Sequence, residues 1–271
     1  MTTLNNRKMR DQLFTPLAKI IGRDRRGPGR PHFVFRANNK TIAYAYIRKN
    51  GCTAFKNLIT SCSEHPVFYD SNSNPLQFML DYHEERSLTA LEKCDYRIFV
   101  YRDPYDRIAS LFLNKIVERK NAEDLRQSIR SVSDKNPEKM SMYDFVFLYL
   151  RSGVDVEKLD PHVWPQSTHL YPIKYTNAIS IANLKEEMAS IVGKDLSQRF
   201  FANKSNAASG NVMTNDTDLS KVSAYKLRET LETTGVRPST RNLIGADESE
   251  AIRLIYRYDV ELIKKLEGSH L

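Results

Sequence analysis

The stretch YIRKNGCTAFKNLI, residues 46–59, puts a lysine, a glycine and a threonine on a short connection between a strand-like run and a helix-like run. A helix N-terminus carries unpaired N–H groups and a partial positive charge, so such a connection suits phosphate or sulfate. Lys49 adds a full charge, Gly51 lets the backbone approach closely, and Thr53 adds a hydroxyl donor. The backbone amides of Asn50, Gly51, Cys52 and Thr53 would form the cradle, with Arg48 and Ala54 at its two ends. The same residues also suit an ordinary strand-to-helix turn with a surface lysine.

A second segment repeats the arrangement. In YRIFVYRDPYDRIASLF, residues 96–112, a strand-like run enters Arg102-Asp103-Pro104, and the proline suits a first helical turn. Ser110 stands eight residues after Arg102, about two helical turns on. Alone, the segment reads better as a loop closed by an Arg–Asp salt bridge. Two strand–loop–helix anion sites in one parallel sheet would share its carboxyl edge. A ligand with two anionic groups would satisfy both.

The elements that must hold these loops follow from the rest of the chain. Its 271 residues are 41% apolar, enough for a packed core, and the net charge of +8 favours an anionic partner. Cys52, Cys62 and Cys94 form neither a disulfide framework nor a zinc pattern, and the six histidines form no metal motif. The N-terminal run MTTLNNRKMRDQLF lacks the apolar centre of a signal peptide, and there is no apolar run long enough for a membrane span. A cytoplasmic protein without a metal is expected. Residues 1–30, with GRDRRGPGRP, read as a basic, flexible segment, and residues 31–271 as a single domain. Strands are expected at 33–36, 42–47, 67–69, 97–101 and 177–182. Helices are expected at 52–62, 86–93, 105–120, 141–151, 183–192, 218–233 and 248–266. Their alternation predicts an α/β fold, a parallel central sheet flanked by helices.

In this order and spacing, the chain resembles the sulfotransferases that use 3′-phosphoadenosine 5′-phosphosulfate (PAPS). It is most similar to the branch that sulfates carbohydrates, and to single-domain, soluble, bacterial-like members of it. The residues that carry the resemblance are IRKNGCTAFK for the 5′-phosphosulfate and VYRDPYDRIAS for the 3′-phosphate. HVWPQS at 162–167, NKS at 203–205 and YRYDVELI at 256–263 are similar to further family segments. The chain departs from the family pattern at Arg48, where many members have proline, and at Val163, which separates His162 from Trp164. The resemblance implies a P-loop-like sulfotransferase fold and in-line transfer of a sulfuryl group from PAPS to a hydroxyl acceptor on a carbohydrate or glycolipid. A glycolipid acceptor would bring peripheral contact with a membrane. It implies Lys49 at the leaving phosphate oxygen, Arg48 to Ala54 around the phosphosulfate, Arg102 and Ser110 on the 3′-phosphate, and Lys204 and Ser205 near the nucleotide.

The acceptor hydroxyl then needs a base, and an imidazole is suited to that work near neutrality. In the family the base often precedes the 3′-phosphate strand, which favours His83 in LDYHEERS, with Glu84 or Glu85 as substitutes. His162 is the rival, because it lies in a family-like segment. Cys52 at a helix start invites a nucleophile reading, which the resemblance replaces with a small loop residue. Two other functions fit part of the pattern. A P-loop nucleotide kinase shares the sheet and the loop, but its lysine follows the glycines, whereas Lys49 precedes Gly51. A non-catalytic nucleic-acid-binding protein would fit the charge but would need aromatic residues among its arginines. No nucleic acid partner is therefore expected.

Overall fold

The computed structural model describes residues 30–65, 74–202 and 211–268. Four strands form one sheet in the order β1 (His32–Ala37), β2 (Lys40–Ala45), β3 (Tyr96–Tyr101) and β4 (Asn177–Ser180). β2, β3 and β4 run parallel, as the alternation of strands and helices predicts. β1 runs antiparallel to β2, so the sheet is mixed. The reason is local. Ala37 pairs with Lys40 across Asn38 and Asn39, whose φ values are 50° and 56°. A two-residue turn with both φ positive matches the twist of a hairpin, and asparagine tolerates that conformation. The strand expected at 67–69 and most of the basic segment 1–30 lie outside the described residues.

The helices are α1 (Cys52–Cys62), α2 (Pro75–Tyr82), α3 (Leu88–Glu92), α4 (Pro104–Leu111), α5 (Glu123–Ser133), α6 (Met142–Asp144), α7 (Leu184–Val192), α8 (Lys194–Phe201), α9 (Ala224–Thr234), α10 (Thr240–Leu243), α11 (Ala246–Ile255) and α12 (Arg257–Gly268). Within residues 31–271, expected as a single domain, the described residues group into two compact units. The first holds residues 30–65, 74–101, 166–202 and 263–268, and the second holds 102–165 and 211–262.

The first unit contains the sheet. Phe33, Tyr44, Ile98, Val100 and Ile179 from the strands share a core with Phe55, Leu58 and Ile59 of α1 and with Met188 and Ile191 of α7. Tyr44 stacks on Phe55 at 3.8 Å between ring centroids. α2 was not foreseen, although its start follows a common rule. Asn74 accepts from Leu76 N and Pro75 occupies the first turn.

The second unit is helical. α4 begins at Asp103, whose side chain accepts from the amides of Tyr105 and Asp106. It continues as a wider π-type turn over Phe112–Val117, which together cover most of the helix expected at 105–120. Ser141 and Asp144 close a capping box on α6, which widens in the same way over Phe145–Leu150. Phe112, Phe145, Tyr149, Trp164, Ile252 and Tyr256 lie in the core of this unit. The single helix expected at 248–266 is interrupted at Tyr256, which separates α11 from α12 and donates its hydroxyl to Val163 O at 2.7 Å.

Candidate active site

The Lys49 loop leaves the carboxyl end of β2, beside β3 in the sheet. Asn50 N donates to Ile47 O at 3.3 Å and closes a tight turn. Lys49 sits in that turn at φ 71°, a left-handed conformation that a lysine adopts only at a cost of about 1–2 kcal/mol. Gly51 follows at φ 74° and caps α1. A Cβ on Gly51 would stand 2.9 Å from Leu184 Cδ2 and 3.1 Å from Ile181 Cδ1, so the turn and the packing behind it both call for glycine. α1 has no side-chain cap and no acidic residue in its first turn. Its N-terminus therefore presents backbone N–H groups without a competing carboxylate, which is what an anion requires.

The other loop residues divide by role. Asn50 is fully buried and faces inward, with Nδ2 donating to Val100 O at 2.8 Å and to Gln166 Oε1 at 2.5 Å. It ties the loop to β3 and to the segment after HVWP, and sequence reasoning gave neither contact. Ala54 turns its methyl into the core and donates its N–H to Gly51 O. The amides of Asn50 and Ala54 are thus engaged inside the loop. Cys52 is half-buried and lies beside the Tyr46 hydroxyl. Arg48 lies over the Tyr46 ring at 5.7 Å.

His83 belongs to the same unit and follows α2. Its backbone joins the outer edge of β1, where Val34 N donates to His83 O and Glu85 N donates to His32 O. The ring is fixed at both nitrogens, with Nδ1 3.0 Å from Val34 O and Nε2 2.9 Å from Ser63 Oγ. The carbonyl can only accept, so Nδ1 carries the proton and Nε2 presents its lone pair to the Ser63 hydroxyl. Burial lowers the imidazole pKa, the Val34 carbonyl opposes this, and the nearby His65 adds to it. Glu84 pairs with Arg86 at 2.7 Å.

A histidine that the sequence did not single out is more deeply set. His32 is fully buried and stacks on Tyr171 at 3.8 Å. The Tyr171 amide donates to the Tyr175 hydroxyl, which donates in turn to His32 Nε2 at 2.7 Å. This relay fastens the first strand to the QSTHLY segment that also carries Gln166.

In the second unit, Arg102 is half-buried and directly follows β3. Burial lowers its guanidinium pKa, Asp106 and Asp103 work against this, and Arg107 adds to it. Asp103 caps α4 with its carboxylate. Ser110 lies half-buried near the end of α4. Arg107 is fully buried and its Nη2 donates to His162 O at 3.1 Å and Trp164 O at 2.8 Å. Together with Tyr256 on Val163 O, it holds the HVWP backbone at three successive carbonyls. His162 Nδ1 is 2.7 Å from Asp160 Oδ1, which also accepts from His162 N. Trp164 is buried in the core and donates Nε1–H to Leu159 O, so its role here is packing. Lys204 and Ser205 lie outside the described residues. A surface cavity of about 570 Å³, lined in part by Asn211, Thr230 and Thr234, includes none of the expected site residues.

No curated protein and no solved structure matches the chain. A family profile does: that of the "Sulfotransferase family", over residues 31–264. This span contains the Lys49 loop, the Arg102–Ser110 segment and HVWPQS, and it covers most of the chain. The chain therefore belongs to the sulfotransferase family and is an enzyme of sulfuryl transfer.

Proposed function

We propose that this sulfotransferase uses PAPS as donor and a carbohydrate or glycolipid hydroxyl as acceptor, without a metal. The observation that carries the donor assignment is the start of α1, where left-handed Gly51 leaves a helix N-terminus without cap or acid on the carboxyl edge of a parallel strand pair. A phosphosulfate fits such a cradle in charge and in the close approach that a Cβ would prevent. When bound, the donor supplies an electron-poor sulfuryl group whose transfer is helped chiefly by positioning and charge stabilisation.

Lys49 is assigned to the charge developing on the leaving phosphate oxygen. Arg48 and the amides and hydroxyl of Gly51 to Thr53 hold the phosphosulfate, with Asn50 anchoring the loop from behind. Arg102 and Ser110 take the 3′-phosphate. Lys204 and Ser205 are assigned beside the nucleotide on the resemblance of NKS alone. His83 is the base: its tautomer leaves Nε2 as acceptor and burial keeps the ring neutral. His162, oriented by Asp160, positions the acceptor. Three free thiols, Cys52, Cys62 and Cys94, suit the reducing cytoplasm in which we place the enzyme.

Calorimetry with 3′-phosphoadenosine 5′-phosphate and with adenosine 5′-monophosphate tests the donor. The bisphosphate should bind at least about thirtyfold more tightly, because only it engages Arg102. Equal affinities would overturn the assignment. Magnesium-dependent phosphoryl transfer from ATP would replace it with a kinase.

A further inference from the structure

Arg119, Arg126 and Arg228 of the second unit converge on one carboxylate. Arg126 Nη2 lies 2.5 Å from Glu138 Oε1, Arg228 Nη2 lies 2.5 Å from Oε2, and Arg119 also pairs with Oε2. The Arg126 and Arg228 side chains are only 11% and 13% exposed, so water screens their mutual repulsion poorly. Burial alone would raise the Glu138 carboxyl, and the three guanidinium groups hold it down to about 2.

A second group of charges adjoins the first. Glu118 pairs with Arg237 and Lys120, and Arg228 Nε donates to Val117 O at 2.6 Å, so this second group adjoins the first through the Val117–Glu118 peptide. The Lys115 ammonium is buried beneath the same loop and donates to Lys120 O and Asn121 O. Glu232 on α9 is the remaining carboxylate that acts on Arg119. Five cationic heads, Arg119, Lys120, Arg126, Arg228 and Arg237, thus face Glu118, Glu138 and Glu232.

Two further observations concern the same group of side chains. Arg126 is nine-tenths buried, and its Nη1 has no hydrogen-bond partner in the protein. A buried N–H of a charged group without an acceptor is costly, by about 1–3 kcal/mol or more. The loop that carries Arg119 is also strained: Arg119 and Asn121 hold φ values of 59° and 46°. Left-handed conformations at residues other than glycine persist where the surroundings impose them, often at binding sites.

We propose that Arg119 and Arg126, with Arg228 behind them, form an oxyanion site that takes a sulfate or phosphate group, separate from the donor loops. Guanidinium forks match the oxygen spacing of such a group, and Glu138 occupies only part of each fork. Half-exposed Arg119 is the entry side, and the buried Arg126 adds its charge from within. The group arrives either as a free ion or as a substituent of a larger anionic molecule.

Equilibrium dialysis of the full chain with radiolabelled sulfate tests the site. Ionic strength is held with sodium chloride, and saturating 3′-phosphoadenosine 5′-phosphate fills the donor site. Wild type should retain sulfate under these conditions, while Arg119→Gln should weaken retention by at least about tenfold. Arg119→Gln leaves Glu138 two arginine partners, so the fold is kept. Arg119→Lys, with a charge but no fork, should fall between. A sulfated oligosaccharide that displaces the label at lower concentration than free sulfate identifies the source as a larger molecule; the reverse order identifies the free ion. Equal retention by wild type and Arg119→Gln, or none by wild type, overturns the proposal.

Discussion

Replacing His32 with glutamine removes an imidazole that burial holds at a pKa of about 3, against 6.5 for the free side chain, with only the Arg30 carbonyl pulling the other way. The depressed value means that the folded chain keeps His32 neutral while the unfolded chain takes up a proton. Its stabilising contribution is therefore complete above the unfolded pKa of 6.5 and is lost as pH falls toward the folded value of about 3. Linkage gives a loss of about 2 kcal/mol between pH 8 and pH 5, and about 1.4 kcal/mol for each further unit until the folded pKa is reached. The structural reason is specific: Nε2 accepts from Tyr175, and a proton there would face a hydroxyl already oriented by the Tyr171 amide. The assay is urea unfolding of wild type and His32→Gln across that pH range. The variant should be less stable at pH 8, since it loses the stack on Tyr171. The gap should then narrow by about 2 kcal/mol by pH 5. Parallel curves for the two proteins would refute the reasoning, because they would mean that His32 titrates alike in both states.

Gly51→Ala should destabilise by about 2–3 kcal/mol, from left-handed strain plus repacking around Leu184 and Ile181, read as a lower urea midpoint. An unchanged midpoint would show that the turn does not need φ 74°. Lys49→Ala should mainly lower kcat. Arg102→Ala should mainly weaken 3′-phosphoadenosine 5′-phosphate, by about 2–4 kcal/mol in calorimetry, and normal binding would remove Arg102 from the 3′-phosphate site. His83→Ala should cost about 10²–10⁴ in kcat at nearly unchanged donor affinity. His162→Ala should act more on KM for the acceptor, and the reverse pattern would exchange their roles.

Much of the candidate site is legible along the chain because its signals are local. A strand running into Lys-Asn-Gly and a helix, or into Arg-Asp-Pro and a helix, is written in consecutive residues, since turns and caps involve neighbours. That is why α1, α4 and the strands that feed them were expected nearly where they lie. Local rules could also have located the Asn38-Asn39 hairpin and the Asn74-Pro75 start of α2, which the sequence reading passed over. The eight-residue interval from Arg102 to Ser110 and the order of the motifs carried the family.

Tertiary structure decided which way the polar residues face. Asn50 looks like a loop ligand in sequence, yet its side chain is buried against Val100 and Gln166, 50 and 116 positions away. Arg107 on α4 grips carbonyls 55 and 57 positions on. His32, Tyr171 and Tyr175 form one relay from two separate segments of the first unit. No local pattern announces these contacts. A buried polar group takes whatever partner the folded chain brings within reach, because leaving it unpaired costs more than any local preference can offset.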